Sequence, residues 1–217
     1  IDFISPQLYW ETTHSTNGYK ELTHWWSDAA AMFNCHYYAS QASYKVTNSG
    51  WGASEILQQV NHNREFAQKN NCGSIYYNTN TFKSHLQSFA NDVYSTPALT
   101  PEITWKSGPV YSKVDNLTYE NGTLSWAKTT NGNAIIRYTV YAVPMSVSID
   151  EAKAADGDGF DVQYLQKVVY GESYTLASDK QNNYWYVVCV FDGYGKEHEA
   201  AVINYPEGDS ENTTLIS

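Results

Sequence analysis

The chain has 217 residues, of which 42% are hydrophobic, and its 13 Lys and Arg against 23 Asp and Glu give a formal net charge of -10. Scattered cations on an acidic chain exclude nucleic acid as a partner, because neutralising phosphates takes clustered Lys and Arg. No apolar run approaches the ~20 residues of a membrane-spanning helix, so no membrane insertion is predicted.

Residues 1–94 alternate between predicted strands and predicted helices. The strands fall at residues 3–10, 37–45 (with an exit loop) and 73–78, which are rich in aromatic or β-branched side chains. The helices carry apolar side chains at helical spacing. Their predicted inward faces are Leu22, Trp25, Trp26, Ala29, Ala30 and Phe33, then Ile56, Leu57, Val60 and Ala67, then Phe82, Leu86, Phe89, Ala90 and Val93. Strands separated by helices of this length predict parallel pairing through right-handed crossovers.

The pattern changes at the linker that holds Pro97 and Pro101. Beyond it, short strands are predicted between turn signals, at residues 123–126, 135–143, 173–176, 184–191 and 200–204. Regular spacing of this kind over about a hundred residues is typical of a small antiparallel sandwich. We therefore predict one domain over residues 1–104 and a second over residues 105–217, which ends in a polar tail.

Neither a metal nor a cofactor is predicted. Cys35, Cys72 and Cys189 lack the spacing of a zinc site, and we interpret Cys35 and Cys72 as small buried side chains rather than as a disulfide. The Asp-rich residues 156–161 raise the alternative of a calcium loop, but Phe160 stands where an oxygen ligand is needed, which favours a solvated turn. No serine-hydrolase, phosphate-loop or dinucleotide motif occurs.

Aromatic and polar residues fall together at the predicted strand ends. They are Tyr9, Trp10 and Glu11, then Gln41, Tyr44 and Lys45, then Tyr77 and Asn78. The carboxyl ends of parallel strands gather on one face, and aromatic rings beside amide, ammonium and carboxylate groups suit a sugar. All but Glu11 are therefore predicted to bind substrate. The competing interpretation is that each aromatic packs in the core and that Lys45 is a solvated loop residue.

Several motifs in the first 105 residues carry a family resemblance. They are FISPQLYW at residues 3–10, Trp25 with Trp26, QASYKV at 41–46, residues 55–64, GSIYY at 73–77, and PAL at 97–99 with Trp105. Together they resemble the C-terminal part of the glycosyl-hydrolase-10-like family, which are bacterial secreted proteins or lipoproteins with a (β/α)8 barrel. The resemblance implies strands six to eight of an incomplete barrel, an extracytoplasmic location (cell envelope, periplasmic or secreted), and a polysaccharide or oligosaccharide as partner.

The second predicted domain resembles a fibronectin type III module. The residues that carry this resemblance are Leu124, Trp126, YTVY at 138–141 and YVVCVFDGYG at 186–195. The predicted fold class is therefore α/β plus all-β, in which the last three βα units of a (β/α)8 barrel precede an antiparallel fibronectin type III-like β-sandwich.

The two resemblances imply a fragment of a glycoside hydrolase that acts on a polysaccharide. Glycoside hydrolysis usually takes two carboxyl groups, and Glu11 is the one candidate catalytic residue at a predicted strand end. The partner acid would have to come from the barrel strands that are absent here, and an acid just past an aromatic strand end can equally be a loop charge, so we expect this chain to be inactive by itself. The alternatives are a non-catalytic glycan-binding protein and a structural envelope module. Exposed strand edges of a partial barrel also predict self-association.

Overall fold

The computed structural model describes residues 1–48, 50–66, 70–129, 136–154 and 159–205. The chain divides into two compact units, Ile1–Ser95 and Thr96–Ser217. Residues 155–158, which include Asp156 and Asp158 of the Asp-rich loop, lie outside the described residues. Within the described ranges, no helix combines the length and the apolar character needed to cross a membrane.

The first unit contains a small parallel sheet built around one central strand. Its strands are β1 (Phe3–Ile4), β2 (Gln7–Leu8), β3 (His36–Gln41) and β4 (Asn71–Tyr76). β1 pairs with the start of β3 and β2 with its end, while β4 pairs with β3 from Tyr37 to Gln41. Pro6 lies between β1 and β2 and has no N–H for the ladder, so one predicted strand becomes two short ones.

Helices cover one face of this sheet. They are α1 (Tyr19–Met32), α2 (Lys45–Asn48), α3 (Ala53–Glu65), α4 (Thr79–Phe82) and α5 (Leu86–Asp92). Strand alternation points Tyr37, Ala39 and Gln41 of β3 at this face, and all three are fully buried. The Tyr37 hydroxyl contacts the Thr23 hydroxyl of α1 at 3.4 Å, which places α1 directly on β3.

The second unit is antiparallel throughout its described sheets. Its strands are β5 (Thr118–Glu120), β6 (Thr123–Ser125), β7 (Arg137–Pro144), β8 (Leu165–Val169), β9 (Ser173–Thr175), β10 (Tyr184–Phe191) and β11 (Glu197–Tyr205). They form a four-stranded sheet in the order β11-β10-β7-β8 and a three-stranded sheet in the order β5-β6-β9. This arrangement is a β-sandwich.

Successive side chains of β10 point alternately to the two faces of the four-stranded sheet, and each face packs in a separate hydrophobic cluster. Tyr186 and Val188 point into a cluster that also contains Leu124 and Trp126 from the region of the three-stranded sheet. Val187 and Cys189 point to the opposite face, against the connection between β7 and β8. A strand buried on both faces reads as a continuous apolar run, as residues 184–191 do.

The predicted fold class is wrong in its α/β part. The described chain has three helices longer than a single turn, and seven of its eleven strands belong to antiparallel sheets. Two of the four parallel strands are only two residues long, so the first unit does not amount to three βα units of a (β/α)8 barrel. The described fold is better represented as a β-sandwich preceded by a small parallel sheet with helices on one face.

Candidate functional site

Three tyrosine rings meet near the ends of β2, β3 and β4. Tyr9 follows β2, Tyr44 lies three residues beyond β3, and Tyr77 directly follows β4. The ring centroids are 6.0 Å apart for Tyr9 and Tyr44, 6.0 Å for Tyr44 and Tyr77, and 6.3 Å for Tyr9 and Tyr77. We call these three residues the tyrosine cluster. Tyr77 is 56% exposed, so the cluster opens to solvent on the Tyr77 side.

Main-chain hydrogen bonds fix two members of the cluster. The Tyr77 amide donates to the Gln41 carbonyl at 2.9 Å, and the Tyr44 amide donates to the Tyr77 carbonyl at 3.1 Å. Burial, and then the neighbouring phenols of Tyr44 and Tyr77, raises the pKa of Tyr9 above its ordinary value. Tyr9 is therefore a neutral phenol at physiological pH and offers a ring face and a hydroxyl rather than a charge.

Lys45 supports the cluster from behind. Its Nζ donates to the Tyr9 carbonyl at 2.6 Å and lies 4.6 Å from the ring centroid of Trp51, which is only 8% exposed. A cation over an indole face is a stabilising contact of about 0.5–2 kcal/mol. Lys45, which was predicted to bind substrate, therefore links the end of β2 to the segment before α3.

Gln41 lies beneath the site. Its side chain is fully buried, and its Nε2 donates to Gln59 Oε1 at 3.2 Å. Its Oε1 has no hydrogen-bond partner in the described part of the chain. Gln41 thus contributes to the interior that carries the cluster, and its side chain is not on the solvent side.

The remaining predicted site residues differ in their exposure. Trp10 is 37% exposed and Glu11 is exposed. The Glu11 carbonyl accepts hydrogen bonds from the His14 amide and from the amide of Tyr19, the first residue of α1. Asn78 is half-buried, and its Oδ1 accepts from the Thr81 amide at 3.2 Å, which caps α4. Trp10 is therefore at the surface, and it directly follows Tyr9 of the cluster in the sequence. The Asn78 side chain is engaged in capping α4.

A group of supporting residues was missed from the sequence. Glu55 and Gln59 of α3 bind Thr12 and the Trp10 carbonyl, which flank Glu11. From the sequence alone, an acidic residue such as Glu55 on an amphipathic helix is expected to face solvent. The available signal was that Glu55 and Gln59, one turn apart, lie beside the apolar positions Ile56 and Val60 rather than on the opposite face.

An apolar pocket of about 430 Å³ lies on the helix side of the β4 end. It is lined by Tyr76, Thr79, Phe82, Leu86, Phe89, Ala90 and Tyr94. The Tyr76 ring stacks on Phe82 at 4.4 Å, whereas the next residue, Tyr77, joins the tyrosine cluster. Successive side chains of an extended strand point to opposite faces. The Tyr76 ring therefore lines the pocket, and the Tyr77 ring lies in the tyrosine cluster.

Chemically, the cluster supplies ring faces and hydroxyl groups. Across the described ranges, no group of three or more His, Cys, Asp or Glu side chains is placed to hold a metal ion. Carbohydrate ligands are bound by this kind of surface, through stacking on aromatic faces and hydrogen bonds to hydroxyls.

No family model and no solved structure matches the chain. It is 30% identical over 152 residues to glycosyl hydrolase YngK of Bacillus subtilis (strain 168), and this match covers 65% of the chain. The chain spans only 29% of the length of that protein. It is therefore related in sequence to part of a glycosyl hydrolase.

Proposed function

We propose that the tyrosine cluster, with Trp10, is a carbohydrate-binding surface in a glycoside-hydrolase-related protein. The observation that carries the proposal is the convergence of Tyr9, Tyr44 and Tyr77 from three separate strand ends, with Tyr77 open to solvent. The sequence relationship to a glycosyl hydrolase supports the same class of ligand.

The ligand class follows from the chemistry of the surface. Sugar rings have apolar faces that stack on aromatic rings, and their hydroxyls pair with phenol and main-chain groups. The Lys45 ammonium group is bound to the Tyr9 carbonyl and to the Trp51 ring, and the chain as a whole has a net charge of -10. A neutral polysaccharide or oligosaccharide therefore fits this surface better than an anionic one.

Glycoside hydrolysis requires more than this surface provides. The usual mechanism takes two carboxyl groups that flank the scissile bond. Glu11 stays the candidate acid, because Glu55, a carboxylate that binds the adjacent Thr12, already accepts three hydrogen bonds through one oxygen. We propose that this chain binds glycan without hydrolysing it, and that hydrolysis, where the larger protein performs it, draws on residues outside this sequence.

The proposal is tested by replacing the most exposed ring of the cluster. Tyr77→Ala removes a ring face, and we expect it to weaken glycan binding by about tenfold, or about 1.4 kcal/mol. Binding is measured by calorimetry and tryptophan fluorescence against soluble xylan, mixed-linkage β-glucan and N-acetylchitooligosaccharides. Reducing-sugar release is followed in the same samples.

Tyr170→Ala is the matched control, because Tyr170 is 72% exposed and lies in the sandwich. It should leave the affinity unchanged. Equal losses in the two variants would contradict a site at the cluster, and no binding of any of the three polymers would favour the structural envelope module. Release of reducing sugar by this chain would show that a catalytic acid is present, with Glu11 the first to replace.

Sequence motifs support a more specific family for each of the two units. We propose that the chain comes from a glycosyl-hydrolase-10-like protein and that its sandwich is a fibronectin type III module. With them goes the proposal of an extracytoplasmic location. Fractionation of the source cells tests the location, since recovery of the full-length protein in the cytoplasm would contradict it.

A further inference from the structure

Glu55 makes a set of contacts that its position in α3 does not explain. It is the third residue of the helix, where a Glu side chain ordinarily folds back to the N-cap amide. Here the N-cap residue is Gly52, and Glu55 Oε1 instead accepts from the Thr12 amide at 2.7 Å and the Thr12 hydroxyl at 2.8 Å. These partners lie 43 residues upstream, in the segment that follows β2.

Gln59 extends the same set of contacts to the strand ends. One turn after Glu55, it is fully buried, and its Nε2 donates to Glu55 Oε1 at 2.8 Å and to the Trp10 carbonyl at 3.2 Å. Its Oε1 accepts from Gln41 Nε2 at the end of β3. A continuous series of hydrogen bonds therefore joins β3, α3 and both residues that flank Glu11.

The charge of Glu55 matters for these contacts. Hydrogen bonds to an ionised carboxylate are shorter and stronger than those between neutral groups, and three donors converge on one oxygen. Removing this acceptor leaves a main-chain amide and a hydroxyl of Thr12 without the partner that holds them, in a segment that β-pairing does not reach.

We infer that Glu55 is a positioning residue, which with Gln59 holds the Trp10–Glu11–Thr12 segment against the end of β3. This inference rests on the proposed function, because it assigns the segment to the glycan-binding surface. Glu55 itself touches no ligand; it acts by fixing Trp10, and with it the neighbouring Tyr9, in the binding geometry.

The experiment compares E55A and E55Q with E65A in the full chain. Glu65 closes the same helix and binds Lys20 and His62 on the surface, so its loss is a matched control. The first readout is the exchange rate of the Thr12 amide by NMR, with the Val93 amide of the same unit, which donates to the Phe89 carbonyl, as the reference. The second is affinity for xylan, β-glucan and N-acetylchitooligosaccharides.

We expect E55A to accelerate Thr12 exchange by at least about tenfold relative to Val93 and to weaken glycan binding by about tenfold, with partial rescue in E55Q and no effect of E65A. Equal acceleration at Thr12 and Val93 would overturn the inference, because it would mean general destabilisation. So would an unchanged Thr12 amide. If E55A does not fold, T12V, which removes only the hydroxyl donor, replaces it in the comparison.

The two readouts separate this inference from the proposed function. Selective acceleration of Thr12 exchange without any glycan binding by the unmodified chain would support the positioning role and contradict the carbohydrate-binding proposal. Glycan binding that is lost in Tyr77→Ala but untouched in E55A would support the binding proposal and overturn the positioning role.

Discussion

Asp192 is a buried carboxylate that is hydrogen-bonded by its own turn and by His198 of β11. Its Oδ1 accepts from the Tyr194 and Lys196 amides at 2.8 and 3.0 Å, and its Oδ2 lies 3.1 Å from His198 Nε2. The Tyr111 amide donates to His198 Nδ1, which leaves the ring proton on Nε2, where it donates to Asp192. The turn between β10 and β11 is therefore organised around one negative charge.

The environment of Asp192 determines how its contribution varies with pH. Burial raises its pKa, but hydrogen bonds from the Lys196 amide, the His198 ring and the Tyr194 amide outweigh burial and hold the pKa below the ordinary value. Because the folded-state pKa is the lower one, the stabilisation is fully present above the unfolded-state pKa of about 3.9 and is lost as the pH falls through the folded-state pKa.

Asp192→Asn should therefore destabilise the sandwich at neutral pH. The amide keeps one acceptor but faces the His198 N–H with a donor, and we expect a loss of about 1–3 kcal/mol in the free energy of unfolding. The difference from the unmodified chain should shrink as the pH falls below the unfolded-state pKa of about 3.9, because the stabilisation from the ionised carboxylate is lost as the pH approaches the lower folded-state pKa. Calorimetric unfolding of the full chain at pH 7 and pH 3 measures both effects.

Asp150→Asn is the matched control for Asp192→Asn. The Asp150 side chain is 89% exposed and pairs with Lys153 on the surface, so its replacement should leave the unfolding transition in place. A loss at Asp192 that is the same at pH 7 and pH 3 would contradict the role of the charge.

At the scale of elements, the turn that joins β10 to β11 depends on Gly195. Its φ is +82°, and a Cβ at this position would lie 2.7 Å from the Pro101 carbonyl oxygen and 2.9 Å from that of Thr100. Both obstacles are main-chain atoms, which cannot rotate away. Only glycine fits the turn without moving the neighbouring segment.

Gly195→Ala should destabilise the sandwich by about 1–3 kcal/mol, since it adds left-handed strain to a steric clash. Gly193→Ala is the control in the same turn, because its Cβ would meet no atom within 4 Å. It should change the free energy of unfolding by no more than about 0.5 kcal/mol. Denaturant unfolding of both variants checks the difference, and equal effects would show that the turn adapts to a side chain.

The polar side of α3 shows what the helical pattern could and could not predict. The pattern placed Ile56 and Val60 in the core, and both are buried. It gave no reason to bury Gln59 and Asn63, yet Asn63 accepts from the Tyr19 hydroxyl and donates to the Ser74 hydroxyl. Hydrophobicity cannot reveal buried amides of this kind, because their partners come from distant segments and only the fold brings them together.

Helix α1 shows the opposite error. The apolar positions Trp25 and Phe33 were assigned to its inner face, but they are 61% and 76% exposed. The buried residues are Tyr19, Thr23, Ser27 and Ala30. Three of these four, Thr23, Ser27 and Ala30, are small side chains that can pack closely against a sheet, although this face is less hydrophobic than the positions of Trp25 and Phe33.

For the molecule as a whole, strand patterns were informative where strands are long. The strands predicted at residues 184–191 and 173–176 occur within a residue of those positions, whereas β5 and β8 were missed. The length of the first parallel strand was overestimated. The strand-like run at residues 3–10 forms only two strands of two residues each, one on either side of Pro6. The pattern placed Tyr9, Tyr44 and Tyr77 near three strand ends, but it could not predict that Lys45 binds a main-chain carbonyl and an indole ring.

The free side of β4 gives a prediction about association. β4 pairs with β3 on one side, and the described part of the chain supplies no strand for the other. Its sequence, NCGSIY, contains no charge and no proline, which are the features that usually protect a strand edge. Ile75 of this strand is 41% exposed, so an incoming strand would gain both main-chain hydrogen bonds and apolar contact.

We expect the chain to self-associate through β4 in a concentration-dependent way. Ile75→Lys puts a charge on this edge in each copy and should weaken association by about tenfold, whereas Val110→Lys, at a position that is 91% exposed in a non-strand segment, should have no effect. Sedimentation equilibrium over a wide concentration range measures both. A monomer at every concentration would contradict pairing at this edge, and equal weakening by the two lysines would indicate that net charge, rather than β4, controls association.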